Sequence, residues 1–323
     1  MKLSFKPYRH LLLEAWQQTC KHPHLWLCGV FAGFASLGGF SHLPLLVPSS
    51  PQAVRTFIRS FLEPGQTFDA FAEVVRFFMR HTPQEIFWYI ALLVLFCAML
   101  LVTVSICQAG ILAGLREADP QRPSDVLRLA RPFFLRVIGV DLAYKAVLTL
   151  LLFIGSCPLL LLSTHQTPGR AWFAFLSLLL VIPAALLWQL LSTLTLVGVV
   201  RADRSIIHST HDAWVIFRRH PLATVEFAVL VLLMTAGILL VSATVLILVL
   251  IPLRSFLLLL SSSLPPPLQS MDDLFILFVS IGFPTIVGGI MTVFSYAAWQ
   301  RFYEHAAPLT VRFPIIAKLR RLF

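Results

Sequence analysis

The chain has 323 residues, 58% of them hydrophobic and 12% charged, with a formal net charge of +10. Soluble domains carry about 25% charged residues, so this composition excludes an ordinary solvated surface, and its apolar runs reach the roughly 20 residues that cross a bilayer. The runs lack period-two alternation, which excludes a β-barrel. The expected fold is all-α: a polytopic membrane bundle of six transmembrane helices with interfacial amphipathic helices.

In chain order, residues 1–22 read as an amphipathic helix with Tyr8, Leu12, Ala15, Trp16 and Cys20 on its apolar side. A glycine-rich first span follows over about 24–41, where Gly29 and Gly33 form a GxxxG face suited to close helix approach. No A-x-A-like site follows this span, so it is expected to be an uncleaved membrane helix rather than a signal peptide. Residues 42–81 form the longest segment outside the membrane, broken by Pro44, Pro48, Pro51 and Pro64-Gly65. Its second half predicts a surface helix with Phe68, Phe71, Val75 and Phe78 opposite Asp69, Glu73, Arg76 and Arg80.

Thr82-Pro83-Gln84-Glu85 is a capping box with proline at the first helical position. It opens a second span over about 86–114, which ends in a second GxxxG, Gly110/Gly114. The link 115–131 carries Arg116, Arg122, Arg128 and Arg131, and Ser124-Asp125 is expected to cap a short amphipathic helix. A third span follows over about 133–162, a tight turn over 167–170, and a fourth span over about 171–200, kinked at Pro183. Residues 205–221 predict another amphipathic helix, with Ile206, Thr210, Ala213, Trp214 and Phe217 on one face and His208, Asp212 and Arg219 largely on the other. A fifth span over about 222–251, apolar except for Glu226, leads through a Ser- and Pro-rich segment (261–267) to a sixth over about 274–299.

A layout recurs in this order. Ala15-Trp16 precedes Lys21-His22-Pro23 and a span, and Ala213-Trp214 precedes Arg218-Arg219-His220-Pro221 and a span, with the same step of six from Trp to His. The chain therefore reads as one integral membrane domain of three successive units, 1–115, 120–204 and 205–303, followed by a basic cytoplasmic tail, 304–323. Units of the same direction imply a threefold parallel repeat about an axis along the membrane normal. The middle unit lacks both Ala-Trp and His-Pro and joins on layout alone.

Of the 25 Lys and Arg, 18 fall on one side of the six spans and six on the other, with Lys145 inside the third span. The positive-inside rule places both termini in the cytoplasm. The excess charge then faces anionic lipid headgroups, which accounts for the basic balance without nucleic acid, for which no recognition motif is present. The chain has no asparagine and four times more arginine than lysine, a pattern of GC-rich coding that points to a bacterial cytoplasmic (inner) membrane.

No Walker loop, G-x-G-x-x-G, H-E-x-x-H or G-x-S-x-G occurs, and the five cysteines are scattered without a CxxC. The polar groups placed in apolar runs are the candidates for function, because burying them is costly. Asp141 and Lys145 lie one helical turn apart and read as a mutually neutralising pair or, alternatively, a substrate or proton site. Glu226, five residues past Pro221, is expected to meet an arginine near the inner headgroups. His208, His211 and Asp212 lie within about a turn but lack further ligands, so no metal is expected. Trp16 and Trp214 read as interfacial anchors, as do Trp26, Trp88, Trp172 and Trp299, while Trp188 falls inside a span.

Ala15-Trp16…Lys21-His22-Pro23-x-Leu25-Trp26 and Ala213-Trp214…His220-Pro221, each leading into a helix, give the chain a resemblance to uncharacterised six-helix bacterial integral membrane proteins. It is similar in the same way to the membrane domain of glycerophosphoryl diester phosphodiesterases. In those enzymes the chemistry sits in a separate soluble barrel, so the resemblance implies a membrane scaffold and no catalytic residues. The expected function is that of a non-enzymatic accessory or scaffold subunit of a membrane system, without a cofactor, touching membrane lipids and another membrane protein. The alternatives are a transporter or lipid-handling permease and, more weakly, a membrane enzyme acting on lipid headgroups.

Overall fold

The computed structural model describes residues 6–36, 82–116, 123–164, 168–261 and 266–306. All regular structure among them is helical: α1 (Lys6–Lys21), α2 (Leu25–Ser36), α3 (Pro83–Gly114), α4 (Pro123–Ala130), α5 (Phe134–Thr164), α6 (Pro168–Arg201), α7 (Ile206–Arg219), α8 (Pro221–Ser261) and α9 (Pro266–Ala306). Proline opens α3, α4, α6, α8 and α9, where its missing N–H lies among the donors a helix leaves free and its fixed φ suits the first turn. For that reason residues 168–170 form the first turn of α6, not the tight turn expected there. Likewise α8 runs on to Ser261 and α9 starts at Pro266, so the two helices reach into both ends of the Ser- and Pro-rich segment, whose middle lies outside the described residues.

Five helices are long and apolar enough to cross a membrane, over Pro83–Gly114, Phe134–Gly155, Trp172–Arg201, Pro221–Leu253 and Phe278–Ala306. This is the arrangement of a multi-pass membrane protein. The expected first span is represented by α2, whose 12 residues cover about 18 Å at the helical rise; its remaining residues, the predicted surface helix near 66–80 and the tail beyond 306 lie outside the described residues. Thr82 and Glu85 form the expected reciprocal cap: the Thr82 amide donates to Glu85 Oε2 at 2.8 Å and the Glu85 amide to Thr82 Oγ1 at 3.4 Å.

The chain packs as two compact units, each built from separated stretches: Met1–Leu45, Thr103–Val140 and Leu191–Phe323 in the first, Leu46–Val102 and Asp141–Leu190 in the second. In the first unit α2 and α9 cross at glycine. A Cβ added at Gly29 would strike the Gly289 carbonyl and lie 2.8 Å from Val293 Cγ2. One added at Gly289 would lie 2.9 Å from the Trp26 carbonyl oxygen and from the Val30 nitrogen. Gly33 faces Thr292 Oγ1 at 3.0 Å by the same measure. The second GxxxG serves differently. Gly110 receives Val126 of α4 and Gly114 receives Leu25 of α2, so each makes room for a side chain rather than for a backbone.

On α1 the buried stripe is Tyr8, Leu11, Leu12, Ala15 and Thr19, the i, i+3, i+4, i+7, i+11 series. Trp16 and Cys20, read on the same apolar side, lie one residue round the helix from this stripe and are exposed. Trp16 reaches only the edge of Phe294, at 5.8 Å between ring centres. On α7 the buried residues are Ser209, Ala213 and Ile216. Trp214 is instead 47% exposed, beside Phe217.

The two His-Pro junctions differ in their first turn: the His22 carbonyl accepts the Leu25 amide three residues on, and the His220 carbonyl accepts the Thr224 amide four residues on, each at 3.0 Å. Leu11 and Ser209, Ala15 and Ala213, Leu25 and Ala223, Gly29 and Phe227 are buried at matching positions of the two segments. At the middle junction, Arg131-Pro132, the Ala130 carbonyl accepts the Phe133 amide. Its buried residues Phe133 and Val137 fall one residue out of that register.

In the second unit α5 and α6 pack as an antiparallel pair. The Trp188 indole N–H donates to the Tyr144 carbonyl at 2.9 Å, their rings lie 4.7 Å apart, and Val181 closes on Gly155. That bond gives Trp188, the one tryptophan expected far from a helix end, its partner inside the apolar layer. Residues 83–100 of α3 are largely exposed, Phe87, Trp88, Leu92 and Phe96 among them.

Candidate functional site

The intramembrane polar groups occupy two places. In the second unit Lys145 Nζ donates to Asp141 Oδ2 at 3.3 Å along one turn of α5. The Asp141 side chain is 4% exposed and that of Lys145 40%. The pair lies within the apolar stretch Phe134–Gly155. A carboxylate in that environment needs compensation, and an ammonium on a flexible stem can supply it while its head stays accessible. The arrangement can hold a charge in the membrane or exchange a proton with it.

In the first unit no arginine among the described residues pairs with Glu226. Its Oε2 accepts the hydroxyl of Tyr8 from α1 at 3.3 Å. Glu226 lies near the start of α8, and the α1 stripe brings Tyr8 to it. Tyr8 is buried against Phe227, which stacks on Phe302 at 4.7 Å and meets the face of Trp299 edge-on at 5.3 Å. Burial, and then the adjacent Glu226 charge, push the Tyr8 phenol well above its ordinary value of 10.0. Tyr8 is thus a neutral donor that fastens α1 to α8.

Around these helix ends the first unit carries a chain of ion pairs that the sequence pattern alone did not reveal. His10 Nδ1 lies 3.2 Å from Glu14 Oε1, and Glu14 Oε2 lies 3.9 Å from Arg301 Nε. Arg301 meets Glu304 at 3.2 Å, and Glu304 meets Arg201 at 2.8 Å, so α1, α9 and α6 are tied together. Arg136 pairs with Asp203 at 2.6 Å, and Arg204 pairs with Asp212. Asp203 sits at a φ of 50°, a turn conformation that Asp tolerates better than most residues. The i, i+4 spacing of His10 and Glu14 and the i, i+3 spacing of Arg301 and Glu304 were the usable signals for this network; the pairings between helices depend on which helix ends meet.

The histidine cluster on α7 is divided among other tasks. His208 Nδ1 hydrogen-bonds Ser205 Oγ at 2.8 Å, while Asp212 is held by Arg204. Among the described residues no group of three or more His, Cys, Asp or Glu is arranged to hold a metal ion. No protein-family model, curated protein or solved structure matches the chain.

Proposed function

We propose that this is a multi-pass protein of the bacterial cytoplasmic membrane that acts, without catalysing a reaction, as an accessory or scaffold subunit of another membrane system. The reading includes six spans, the first completed by residues beyond α2, three units in parallel, and both termini on the cytoplasmic side, where the lysine and arginine excess lies. The observation that carries it is α8. Over Pro221–Leu253 only 6% of the most apolar stretch is buried, although 33 residues span about 50 Å, well beyond the hydrocarbon thickness of about 30 Å. Such a helix offers a long lateral apolar face to a partner helix.

A photo-reactive residue introduced at Leu233, Leu240 or Ile247, exposed positions seven apart on α8, tests this in native membranes. The reading expects one discrete protein adduct shared by all three positions and missing from the buried position Phe227. Lipid adducts alone would overturn it. A second reading, a transporter or lipid-handling permease, draws on Asp141 and Lys145 within α5. Solute or proton movement by the purified chain in vesicles, abolished by Asp141→Asn, would put that reading first.

A further inference from the structure

Most arginines of the first unit that lie near an acid are neutralised by it, and a separate set is not. Arg136, Arg201, Arg204 and Arg301 face Asp203, Glu304, Asp212 and Glu14. Lys21, Arg116, Arg128 and Arg131 are exposed, and among the described residues no carboxylate lies within ion-pair distance of them. The segments that carry these four pack around the C-terminal part of α3. Gln18, one turn before Lys21, donates to the Leu115 carbonyl at 2.9 Å, which sets the last turn of α1 beside Arg116. Val126 and Ala130 close on Gly110, which brings α4, with Arg128 and the following Arg131, to the same helix end. We propose that this cluster is a binding site for the headgroup of an anionic phospholipid.

Two features favour a lipid over a soluble anion. Leu127, next to Arg128, and Leu135, four residues past Arg131, are 51% and 77% exposed, so exposed apolar side chains accompany the bases, as they do where acyl chains meet phosphates. The cluster also sits at the end of a helix long and apolar enough to cross a bilayer. The inference rests on the membrane reading above and narrows the general attraction of a basic face to four named side chains.

The test uses the full chain, purified in detergent micelles containing equal amounts of phosphatidylglycerol and phosphatidylcholine, with retained lipid quantified by mass spectrometry. The proposal expects preferential retention of phosphatidylglycerol. The preference should fall about tenfold or more, on the general strength of basic residues at an anionic surface, in Lys21→Gln/Arg116→Gln/Arg128→Gln/Arg131→Gln. The charge-keeping variant Arg116→Lys/Arg128→Lys/Arg131→Lys should retain most of it, which separates lipid binding from misfolding. The comparison variant Arg9→Gln/Arg218→Gln/Arg219→Gln removes exposed bases elsewhere and should change it little. An equal loss in that variant means a diffuse electrostatic attraction and overturns the site. A chain that inserts into membranes but shows no preference overturns this inference alone, whereas a chain that stays in solution without detergent or lipid overturns the membrane reading itself.

Discussion

The two compact units hold their helices together by different means. The first uses contact and charge: backbones meeting at Gly29 and Gly289, an aromatic cluster around Phe227, and ion pairs running from α1 through α9 to α6. The second, in its described part, relies on an antiparallel pair joined through Trp188, Tyr144, Gly155 and Val181, with one ion pair within a single helix. The difference follows from solvent. Lipid tails are as apolar as leucine, so helices that meet lipid gain little from burying more leucine and need close packing or polar bonds to associate. Where water and headgroups reach the helix ends, salt bridges between helices are affordable because each charge stays partly hydrated.

The sharpest way to break this comparison is to fill the glycine crossing. Gly289→Leu leaves no position for its side chain between the Trp26 carbonyl and Val30, so either α2 separates from α9 or the backbones distort. Overpacking costs about 1–3 kcal/mol and occasionally more, a contact with backbone belongs at the upper end, and the expected outcome is a collapse of folded yield in detergent, followed by fluorescence-detected size-exclusion chromatography. Gly282→Ala on the same helix is the comparison, since nothing lies within 4 Å of its added carbon. Equal yields from the two variants would show that the crossing is not a determinant of folding.

Asp141 and Lys145 test the second unit. Asp141 is buried and has further partners besides Lys145, so Asp141→Ala should cost about 2–3 kcal/mol through the buried polar groups left behind. Lys145→Gln removes the exposed half of the pair and should cost no more than about 1 kcal/mol. Unfolding by denaturant in mixed micelles measures both. Equal costs would mean that Lys145, and not the surroundings, holds the carboxylate in place.

Much of the fold could be read from the chain, and the reasons for what could not are local. Thr82 and Glu85 predicted a cap and form it, because a capping box involves only residues three apart. The faces of α1 and α7 were read by grouping apolar residues. That rule grouped Trp16 and Trp214 with Ala15 and Ala213, which are buried, while both tryptophans are exposed, because beside a membrane a helix has two apolar surroundings and a tryptophan can serve the lipid side. Glu226 was expected to find an arginine, and the partner is Tyr8, 218 residues away in sequence; periodicity gave Tyr8 a face but no neighbour. The candidate residues Asp141 and Lys145 were legible as a pair because both lie on one helix. The pairs that join different helices of the first unit, Glu14 with Arg301 and Arg201 with Glu304, were not, since their helix ends had to be brought together first.

The first unit's ion-pair chain gives an intermediate effect. Glu304 touches both Arg201 and Arg301, so Glu304→Gln leaves two guanidiniums facing one another with their shared acid gone. The expected cost is about 1–2 kcal/mol, larger at low ionic strength, where the remaining repulsion is less screened. Arg201→Gln in the Glu304→Gln background should add less than it does alone, and strict additivity in the four-variant cycle would show that the pair contributes no coupling.

The smallest expected effect belongs to Tyr8. Tyr8→Phe keeps the ring against Phe227 and removes one hydrogen bond, which is worth about 1 kcal/mol at neutral pH. Its signature lies at alkaline pH. The phenol is held above its ordinary value of 10.0 by burial and by Glu226, so the folded state keeps its proton where the unfolded chain has released it. This stabilisation is complete below the unfolded value and is lost as pH rises past it toward the higher folded value. The native protein should therefore lose stability progressively above about pH 10, and Tyr8→Phe should flatten that part of the profile while leaving the neutral region nearly parallel. An unchanged alkaline slope in Tyr8→Phe would mean that another group governs it, and that the Tyr8–Glu226 contact joins α1 to α8 by packing alone.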